Sequence, residues 1–334
     1  MKINILLKAV LILGTAFLFN ETKAQKGLKT IAFYNVENLF DTINDPKTTD
    51  EEFLPESKLK WTNSIFQQKL KNTAKVISKI DSINGLALIG LAEIENKFVL
   101  NELVKTSSLK KKNYQIIHNE SPDERGIDVA LLYQKCFYKP LKNEFLKVEI
   151  PNDTAFKTRE ILYSCGLIGK KDTLHIFVNH WPSRRGGQEK SETYRILAAK
   201  TLKEKCDYIL RRNENSKIVI MGDFNDYPDN KSIYEILEAK EANSTLINLG
   251  YQTHKDGNGS TSYDGKWGLL DQIIVSSGII NSNKLINNQL QVFKVDWLLF
   301  KRKNGEVSPN RSVAGGKFTG GYSDHLPVYI QFTK

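Results

Sequence analysis

The sequence predicts an α/β fold in which polar side chains follow the ends of apolar strands. The clearest case is residues 217–226, where the apolar run 218–221 stops at Gly222, followed by Asp223 and Asn225. A short continuous apolar run bounded by turn residues is typical of a strand buried on both faces. In open α/β sheets the chemistry lies beyond the carboxyl ends of such strands. Residues 217–226 are therefore the first candidate site.

The order of the predicted elements is the second observation. Strand, helix, strand and helix are followed by mixed strands, and the sequence contains no repeat, long linker or low-complexity tract. The 334 residues are 40% hydrophobic, which suffices for a substantial core. We therefore expect one domain over residues 25–334.

Residues 1–24 have the pattern of a signal peptide. Two lysines precede an apolar stretch at 9–19, and small residues stand at 22 and 24. The stretch is too short to span a bilayer comfortably, so we expect cleavage near Gln25 rather than a stable membrane anchor. The mature protein is then expected in the periplasm or outside the cell.

Charge and cysteine content narrow the function classes. A formal net charge of +10 favours polyanionic partners, although a generally basic soluble protein explains it equally well. Three cysteines are too few and too scattered for a disulfide framework or a cysteine metal site.

Four further apolar runs end in acids, amides or histidine. Run 30–34 precedes Asn35 and Glu37, run 86–92 precedes Glu93, run 174–178 precedes Asn179 and His180, and Asp324 and His325 open the last strand, 326–332. One such residue after one strand is usually an ordinary turn residue. Five instances favour a shared site.

The remaining elements follow from periodicity and turn signals. Apolar residues at steps of three and four predict helices at 66–80, 98–104 and 189–212. Strands are expected at 114–117, 127–133, 160–168 and 267–275. The stretch 41–57 is expected to be an exposed acidic loop near the mouth of the site rather than a cation site.

Two basic segments and one acid stand out from these elements. The loop 181–187 contains Arg184, Arg185 and two glycines, which suits an anion held by guanidinium and backbone N–H groups, with a flexible basic loop as the alternative. Arg125, in a turn, is either a substrate contact or an ordinary loop cation. Asp271 is predicted inside an apolar strand, where a buried carboxylate needs a partner such as histidine.

Together the polar residues have the types found in a metal-assisted phosphoester hydrolase. Oxygen ligands suit Mg²⁺ or Mn²⁺, a histidine beside a buried carboxylate makes an oriented acid or base, and amides stabilise phosphoryl oxygens without adding charge. The set comprises Asn35, Glu93, His180, Asp223, Asn225, Asp271, Asp324 and His325.

Six stretches resemble the endonuclease/exonuclease/phosphatase superfamily, which has the deoxyribonuclease-like fold. They are, in chain order, YNVEN (34–38), LAE (91–93), NHWP (179–182), GDFN (222–225), LD (270–271) and SDHLP (323–327). The resemblance implies a four-layer α/β sandwich: two mixed β-sheets packed face to face with helices outside. It spans nearly all of residues 25–334.

The resemblance also implies a metal site. Glu93 would be the principal ligand, with Asn35 and Asp324 completing or supporting the site. Mg²⁺ is the expected ion, with Mn²⁺ and Ca²⁺ as alternatives. The residues expected to contact substrate phosphate are Asn35, Arg125, Arg184 and Arg185.

The catalytic roles follow from the same resemblance. His325, oriented by Asp271, would activate water or stabilise the phosphoryl group. Asp223 would handle a proton and Asn225 would bond the scissile phosphate. His180 would bind phosphate or protonate the leaving group.

We therefore expect a secreted, monomeric phosphodiesterase, most consistent with an endonuclease on nucleic acid. One alternative is a phospholipid (sphingomyelinase-like) or small phosphate-ester hydrolase, and another is a catalytically silent binding protein. A lipid-active enzyme predicts an exposed apolar hairpin, for which 296–300 is the only candidate and is expected to be core. Gln272 after Asp271 breaks the Trp-x-Asp-Arg signature of inositol-polyphosphate phosphatases. A serine hydrolase triad is excluded, because Ser323, Asp324 and His325 are adjacent.

Overall fold

The computed structural model describes residues 28–149 and 156–333; the predicted signal peptide, 1–24, lies outside them. The strands are β1 (Lys29–Leu39), β2 (Leu88–Ile94), β3 (Tyr114–His118), β4 (Asp128–Gln134), β5 (Tyr138–Leu146), β6 (Ile161–Ile168), β7 (Asp172–His180), β8 (Lys217–Asp223), β9 (Ala239–Lys240), β10 (Leu246–Asn248), β11 (Thr261–Tyr263), β12 (Lys266–Gly268), β13 (Asp271–Ser276), β14 (Gln291–Val292), β15 (Leu299–Lys301), β16 (Val307–Pro309), β17 (Val313–Ala314), β18 (Lys317–Phe318) and β19 (Val328–Phe332).

In the described part of the chain, five α-helices accompany the strands: α1 (Asn63–Ile80), α2 (Lys97–Lys105), α3 (Gln188–Arg212), α4 (Tyr251–Lys255) and α5 (Ser277–Ile280). Short 3₁₀ turns span Glu51–Phe53, Lys110–Lys112 and Asp296–Leu298, and Ser232–Ile236 forms a π-turn. The three helices predicted from periodicity correspond to α1, α2 and α3, each starting one to three residues earlier than expected.

Two large sheets form the centre of the molecule. The first has the strand order β14-β19-β1-β2-β4-β3 and the second has the order β5-β6-β7-β8-β13-β10-β9. Both are mixed, because β1 and β2 pair in parallel in the first and β7 and β8 pair in parallel in the second, whereas their other long pairs are antiparallel. Strand β1 pairs with both β2 and β19, so the first and last long strands are neighbours.

The alternation of side chains along each strand sorts the core into layers. Ile31 and Phe33 of β1 join an apolar cluster with residues of the second sheet, whereas Ala32 and Tyr34 pack toward α1 and α2. On the other side, α3 covers the second sheet through its own cluster. The predicted four-layer α/β sandwich is confirmed.

Strands β1 and β2 run past the ends expected for them. The ladder between them is interrupted after Asn35 and resumes at the pair Leu39 and Ile94. The cause is local: Glu37, Asn38 and Glu93 have φ values of 54°, 56° and 63°, in the left-handed region that breaks strand geometry. The predicted strand ends are thus kinks within longer strands.

The expectation of an exposed acidic loop at 41–57 is wrong in part. Asp41 and Asp50 are buried, because the loop folds over a fourth apolar cluster that includes Phe40, Phe53 and Trp61. Backbone N–H groups compensate the buried acids: Ile43 N donates to Asp41 at 2.7 Å and Asp45 N donates to Asp50 at 2.9 Å.

Two further expectations need correction. Residues 267–275 are two strands, β12 and β13, so Asp271 begins β13 rather than lying inside a strand. Segment 296–300 is not entirely core: Leu298 is buried, but Phe300 is 53% exposed. In both segments an irregular stretch, at 269–270 and at 296–298, interrupts the apolar run, and apolar composition alone does not predict such interruptions.

Within residues 28–149 and 156–333, none of the helices has both the length and the hydropathy needed to cross a membrane.

Candidate active site

Three site residues lie in one row across the second sheet. In the parallel pairing of β7 with β8, His180 is opposite Asp223, and in the antiparallel pairing of β8 with β13, Asp223 is opposite Asp271. The row exists because β7 and β8 end at this level and β13 begins there. His180 Nε2 lies 3.7 Å from Asp223 Oδ2.

Glu93 and Asn35 approach this row from the first sheet. The left-handed backbone of Glu93 directs its carboxylate to the backbone N–H of Asn38, 3.0 Å from Oε2. Its other oxygen lies 4.0 Å from His180 Nε2. The amide nitrogen of Asn35 bridges the sheets, at 3.3 Å from Glu93 Oε1 and 3.1 Å from Asp223 Oδ2.

His325 lies in the segment that leads into β19. Its Nδ1 donates to Asp271 Oδ2 at 2.7 Å, which orients the ring so that Nε2 lies 3.8 Å from Asp223 Oδ2 and 3.9 Å from Asp324 Oδ1. The turn is fixed by Ser323, whose hydroxyl donates to the Asn35 carbonyl at 2.8 Å and accepts from the His325 backbone N–H at 3.0 Å.

The two histidines have opposite charge tendencies. Burial lowers the pKa of His180 well below its usual range, and the positive charges of Arg159 and Arg125 lower it further. Burial also acts to lower the pKa of His325, but Asp271 and the other nearby carboxylates outweigh it and hold that pKa well above its usual range. The structure therefore favours a neutral His180 and a protonated His325.

Arg184 is directed toward protein groups beside the row. Its Nε donates to the Asn225 carbonyl at 2.7 Å, and Nη2 donates to Asn230 at 2.9 Å and Asp226 at 3.3 Å. The guanidinium also stacks over the Tyr227 ring, 4.3 Å from its centroid. In this arrangement Arg184 supports the backbone that carries Asn225, and its predicted contact with substrate phosphate stays a prediction.

The other predicted phosphate contacts differ in their distance from the row. Arg125 is exposed and its Nη2 donates at 2.8 Å to the side chain of Asn38, the residue whose backbone N–H holds Glu93. The amide of Asn225 donates to the Trp181 carbonyl at 2.9 Å and retains a second N–H. Arg185 is exposed on the loop before α3, and the described contacts do not connect it to the row.

Sequence reasoning missed two cations on the Glu93 side. Arg311 bridges two acids, with Nε 3.0 Å from Glu37 and Nη2 3.2 Å from Asp324. Lys69 is fully buried on α1 and donates to Ser312 Oγ at 2.8 Å. Burial lowers the pKa of Lys69 to about 8. Lys69 shares a helix face with Phe66 and Leu70, and a lysine on an apolar helix face is a sequence signal for a buried cation. No comparable sequence signal marks Arg311.

Arg159 was missed on the His180 side. Its guanidinium donates to the carbonyls of His180 at 3.2 Å and Trp181 at 2.6 Å, and to Asp123 at 2.9 Å. After burial, the charges of Arg159 and Arg125 are the largest contributions that disfavour protonation of His180. Their separation in sequence from His180 concealed this effect.

The carboxylates are crowded enough to suit a divalent cation. Burial raises the pKa of Asp324 to about 6, and the charges of Glu37 and Glu93 add to the effect. Burial and Asp271 likewise raise the pKa of Asp223. A bound cation relieves such repulsion, and oxygen-rich donor sets are those that Mg²⁺ and Ca²⁺ prefer.

Two sets of potential metal ligands can be distinguished at the site, and they share no residue. Among the described residues, Asp223, Asp271 and His325 bring three potential ligand atoms within 4.8 Å of one another. The expected set was Glu93, Asn35 and Asp324. As the amide is oriented, Asn35 Oδ1 accepts from the Glu37 backbone, so a rotation of that amide is needed before its oxygen faces Glu93.

The fold and the site together define a class of phosphodiesterases and phosphatases. Two face-to-face sheets deliver acids, amides and two histidines of opposite charge tendency to one edge of the sandwich. The chain belongs to the Endonuclease/Exonuclease/phosphatase family, whose sequence model matches residues 30–334.

Solved structures have the same fold at low sequence identity. TDP2 of D. rerio, complexed with a single-strand DNA product, is 15% identical with a TM-score of 0.56, covering 92% of this chain and 99% of that one. The human Nocturnin catalytic domain with a bound sulfate anion is 15% identical (TM-score 0.55; 92% and 94% covered). The mannosyl-6-phosphatase of Bacteroides thetaiotaomicron is 14% identical (TM-score 0.55; 92% and 100% covered). A search of curated proteins found no match.

Proposed function

We propose that the protein is a divalent-metal-dependent phosphodiesterase that cleaves nucleic acid. The observation that carries the proposal is the convergence on Asp223 Oδ2 of three donors, Asn35 Nδ2 at 3.1 Å, His180 Nε2 at 3.7 Å and His325 Nε2 at 3.8 Å. A cluster of donors around one buried acid, with Glu93 beside it, suits a reaction that moves a proton while charge develops on phosphoryl oxygens.

The acids on the first-sheet side would hold the metal. Glu93 and Asp324, with Asn35 after rotation of its amide, supply oxygen donors of the type that Mg²⁺ prefers; Mn²⁺ and Ca²⁺ are the alternatives. When bound, the ion supplies Lewis-acid stabilisation of phosphoryl oxygens.

The side chains of the site have separate roles in stabilising the phosphate and in proton transfer. His325, held by Asp271 and protonated, donates from Nε2 to a phosphoryl oxygen as negative charge grows there. Asp223 accepts the proton of the attacking water. A neutral His180 donates one hydrogen bond to the phosphate, and the second N–H of Asn225 acts from the adjacent turn.

Nucleic acid is the substrate best supported by the charge of the chain. The formal net charge is +10, and exposed Arg125 stands within reach of the site. The structural neighbour with a DNA product supports the same choice, whereas the neighbouring sugar phosphatase supports a small phosphate ester as the second candidate.

The test is hydrolysis by purified protein that starts at Gln25. The substrates are fluorescent DNA and RNA oligonucleotides, sphingomyelin and mannose 6-phosphate. Hydrolysis of each substrate is measured in the presence of EDTA and again after Mg²⁺, Mn²⁺ or Ca²⁺ is added back. We expect oligonucleotide cleavage that EDTA abolishes and Mg²⁺ restores. Cleavage of only the sugar phosphate or the lipid would contradict nucleic acid as the substrate. Cleavage unaffected by EDTA would contradict the proposed metal dependence.

We also propose secretion after removal of residues 1–24, supported by the charged-then-apolar leader alone. Mass spectrometry of the exported protein should give an N-terminus near Gln25. An exported chain that retains Met1 would contradict it.

A further inference from the structure

Two small hairpins rise from the edge of the site. The first, strands β11 and β12, is anchored at Ser260, whose Oγ accepts from the Asp271 backbone at 3.3 Å and whose carbonyl accepts from Leu326 N at 2.8 Å. The second, strands β15 and β16, continues into Asn310 and Arg311, and Arg311 holds Glu37 and Asp324. Both hairpins therefore begin next to residues of the site.

The two hairpins also contact each other. Ser262 Oγ of β11 donates to the Val307 carbonyl of β16 at 3.3 Å. At roughly 3.3 Å per residue, the exposed ends of the hairpins lie about 10 Å beyond their anchors. A polymer leaving the site in this direction meets both hairpins.

Each hairpin presents an aromatic ring to solvent. Tyr263 is 80% exposed and Phe300 is 53% exposed, whereas most other large apolar side chains in the described chain are buried. Tyr263 precedes a two-residue turn, Asp264-Gly265, with φ values of 47° and 73°, a turn type that makes a rigid hairpin. The rings are thus held out by ordered backbone.

Positive charge accompanies both rings. Lys266 pairs opposite Tyr263 across the first hairpin, and Lys294 lies over Trp267 with Nζ 3.4 Å from the ring centroid. Three consecutive exposed cations, Lys301, Arg302 and Lys303, lie where β15 leads into the turn of the second hairpin. Arg302 is 3.5 Å from Glu306, which offsets part of its charge.

We propose that these hairpins bind a single-stranded segment of nucleic acid that extends from the cleavage site, with bases stacked on Tyr263 and Phe300 and phosphates beside the lysines. Exposed aromatic rings among cations fit this ligand, because every base has a face that can stack and every linkage has a charge. The proposal rests on the proposed function, since it concerns the same substrate away from the scissile bond.

The hairpin ends do not fit insertion into a lipid membrane. Their turns consist of Asp264-Gly265 and of residues 302–305, which are polar, charged or glycine. A membrane-inserting hairpin needs apolar residues at its outermost point. Tyr263 and Phe300 are strand residues that precede the turns, so neither aromatic residue occupies the outermost turn itself.

The experiment measures binding of a fluorescein-labelled twelve-nucleotide oligothymidylate in EDTA, by anisotropy. The test variants are Tyr263→Ala, Phe300→Ala and the double variant; Tyr263→Phe preserves the ring. The matched control is Tyr208→Ala, an aromatic residue 47% exposed on α3 and outside both hairpins. We expect Kd to rise about tenfold per ring removed and to change less than about twofold in Tyr263→Phe and Tyr208→Ala.

Turnover of bis(p-nitrophenyl) phosphate with Mg²⁺ is measured in parallel, and all hairpin variants should match wild type. Absence of this turnover in wild type would count against the proposed function alone, since the binding result stands separately. Failure of wild type to bind the oligonucleotide, or equal binding by the double variant and Tyr208→Ala, would overturn the hairpin proposal. If the double variant lost binding to phosphatidylglycerol vesicles but bound the oligonucleotide as wild type does, the nucleic-acid proposal would be overturned and the hairpins would be a membrane contact.

Discussion

His180 and His325 approach the same carboxylate oxygen from different surroundings. Their Nε2 atoms lie 3.7 Å and 3.8 Å from Asp223 Oδ2. Behind His325 is the carboxylate of Asp271, whereas His180 has the guanidinium of Arg159 on its backbone carbonyl and a buried Nδ1 without a hydrogen-bond partner in the described structure. The comparison teaches that burial without an acid behind the ring lowers the pKa of His180, whereas Asp271 behind the ring, together with Asp223, raises the pKa of His325 despite its own burial.

The largest effect is expected at Glu93, whose Oε1 lies 4.0 Å from His180 Nε2. Glu93→Gln retains the size of the side chain and an acceptor for Asn38 N but removes the charge that a metal needs. We expect activity to fall about a thousandfold or more at limiting Mg²⁺, with an unchanged melting temperature. Oligonucleotide cleavage measured against Mg²⁺ concentration checks this, and activity within a few fold of wild type would remove Glu93 from the metal site.

Asp271→Asn removes the charge behind His325 while preserving the shape of the site. A neutral amide no longer stabilises the protonated ring, so we expect kcat to fall about a hundredfold to a thousandfold. The measurement is steady-state kinetics on an aryl phosphodiester and on plasmid DNA. Equal activity of the variant and wild type on both substrates would show that His325 needs no acid behind it.

His180→Ala tests the other ring and should cost less on an activated substrate. Because a neutral His180 contributes one hydrogen bond, we expect about a hundredfold loss on plasmid DNA and about tenfold on the aryl phosphodiester. The same kinetic assays report both values. Losses equal to those of Asp271→Asn on both substrates would mean that the two histidines do not have separate roles.

Asp123→Asn is the matched control for Asp271→Asn and should have the smallest effect. Asp123 lies behind Arg159 just as Asp271 lies behind His325, but its partner is a structural cation. We expect activity within about threefold of wild type and a loss of about 3 kcal/mol in the free energy of unfolding, because the buried guanidinium of Arg159 loses its counter-charge. Urea unfolding and the kinetic assays measure the two quantities. A hundredfold loss of activity would make Asp123 part of the catalytic network.

Sequence patterns predicted the parts of the site that lie at the ends of strands. Asp223 and the Asp324-His325 pair each adjoin an apolar run, and a buried Asp271 predicted its own histidine partner. The four-layer sandwich came from the resemblance of those motifs to a family. Local sequence patterns were sufficient to predict a site residue where that residue lies at the end of a regular strand.

The sequence could not predict contacts that depend on irregular backbone or distant segments. Glu93 acts from a left-handed kink inside β2, which apolar composition does not reveal. Arg159 reaches His180 across 21 positions and Arg311 reaches Glu37 across 274. Such pairs are chosen by tertiary packing, and no local periodicity marks them.

The pairing of β1 with β19 makes the candidate site depend on segments that are far apart in the sequence. Asn35 lies on β1, and Ser323 holds it from a segment 288 positions later, next to His325. A chain still on the ribosome can complete the second sheet, from β5 to β13, and yet lack both His325 and the strand that closes the first sheet. Until the segment around His325 has been synthesised, the candidate site lacks the protonated ring that lies 3.8 Å from Asp223 Oδ2.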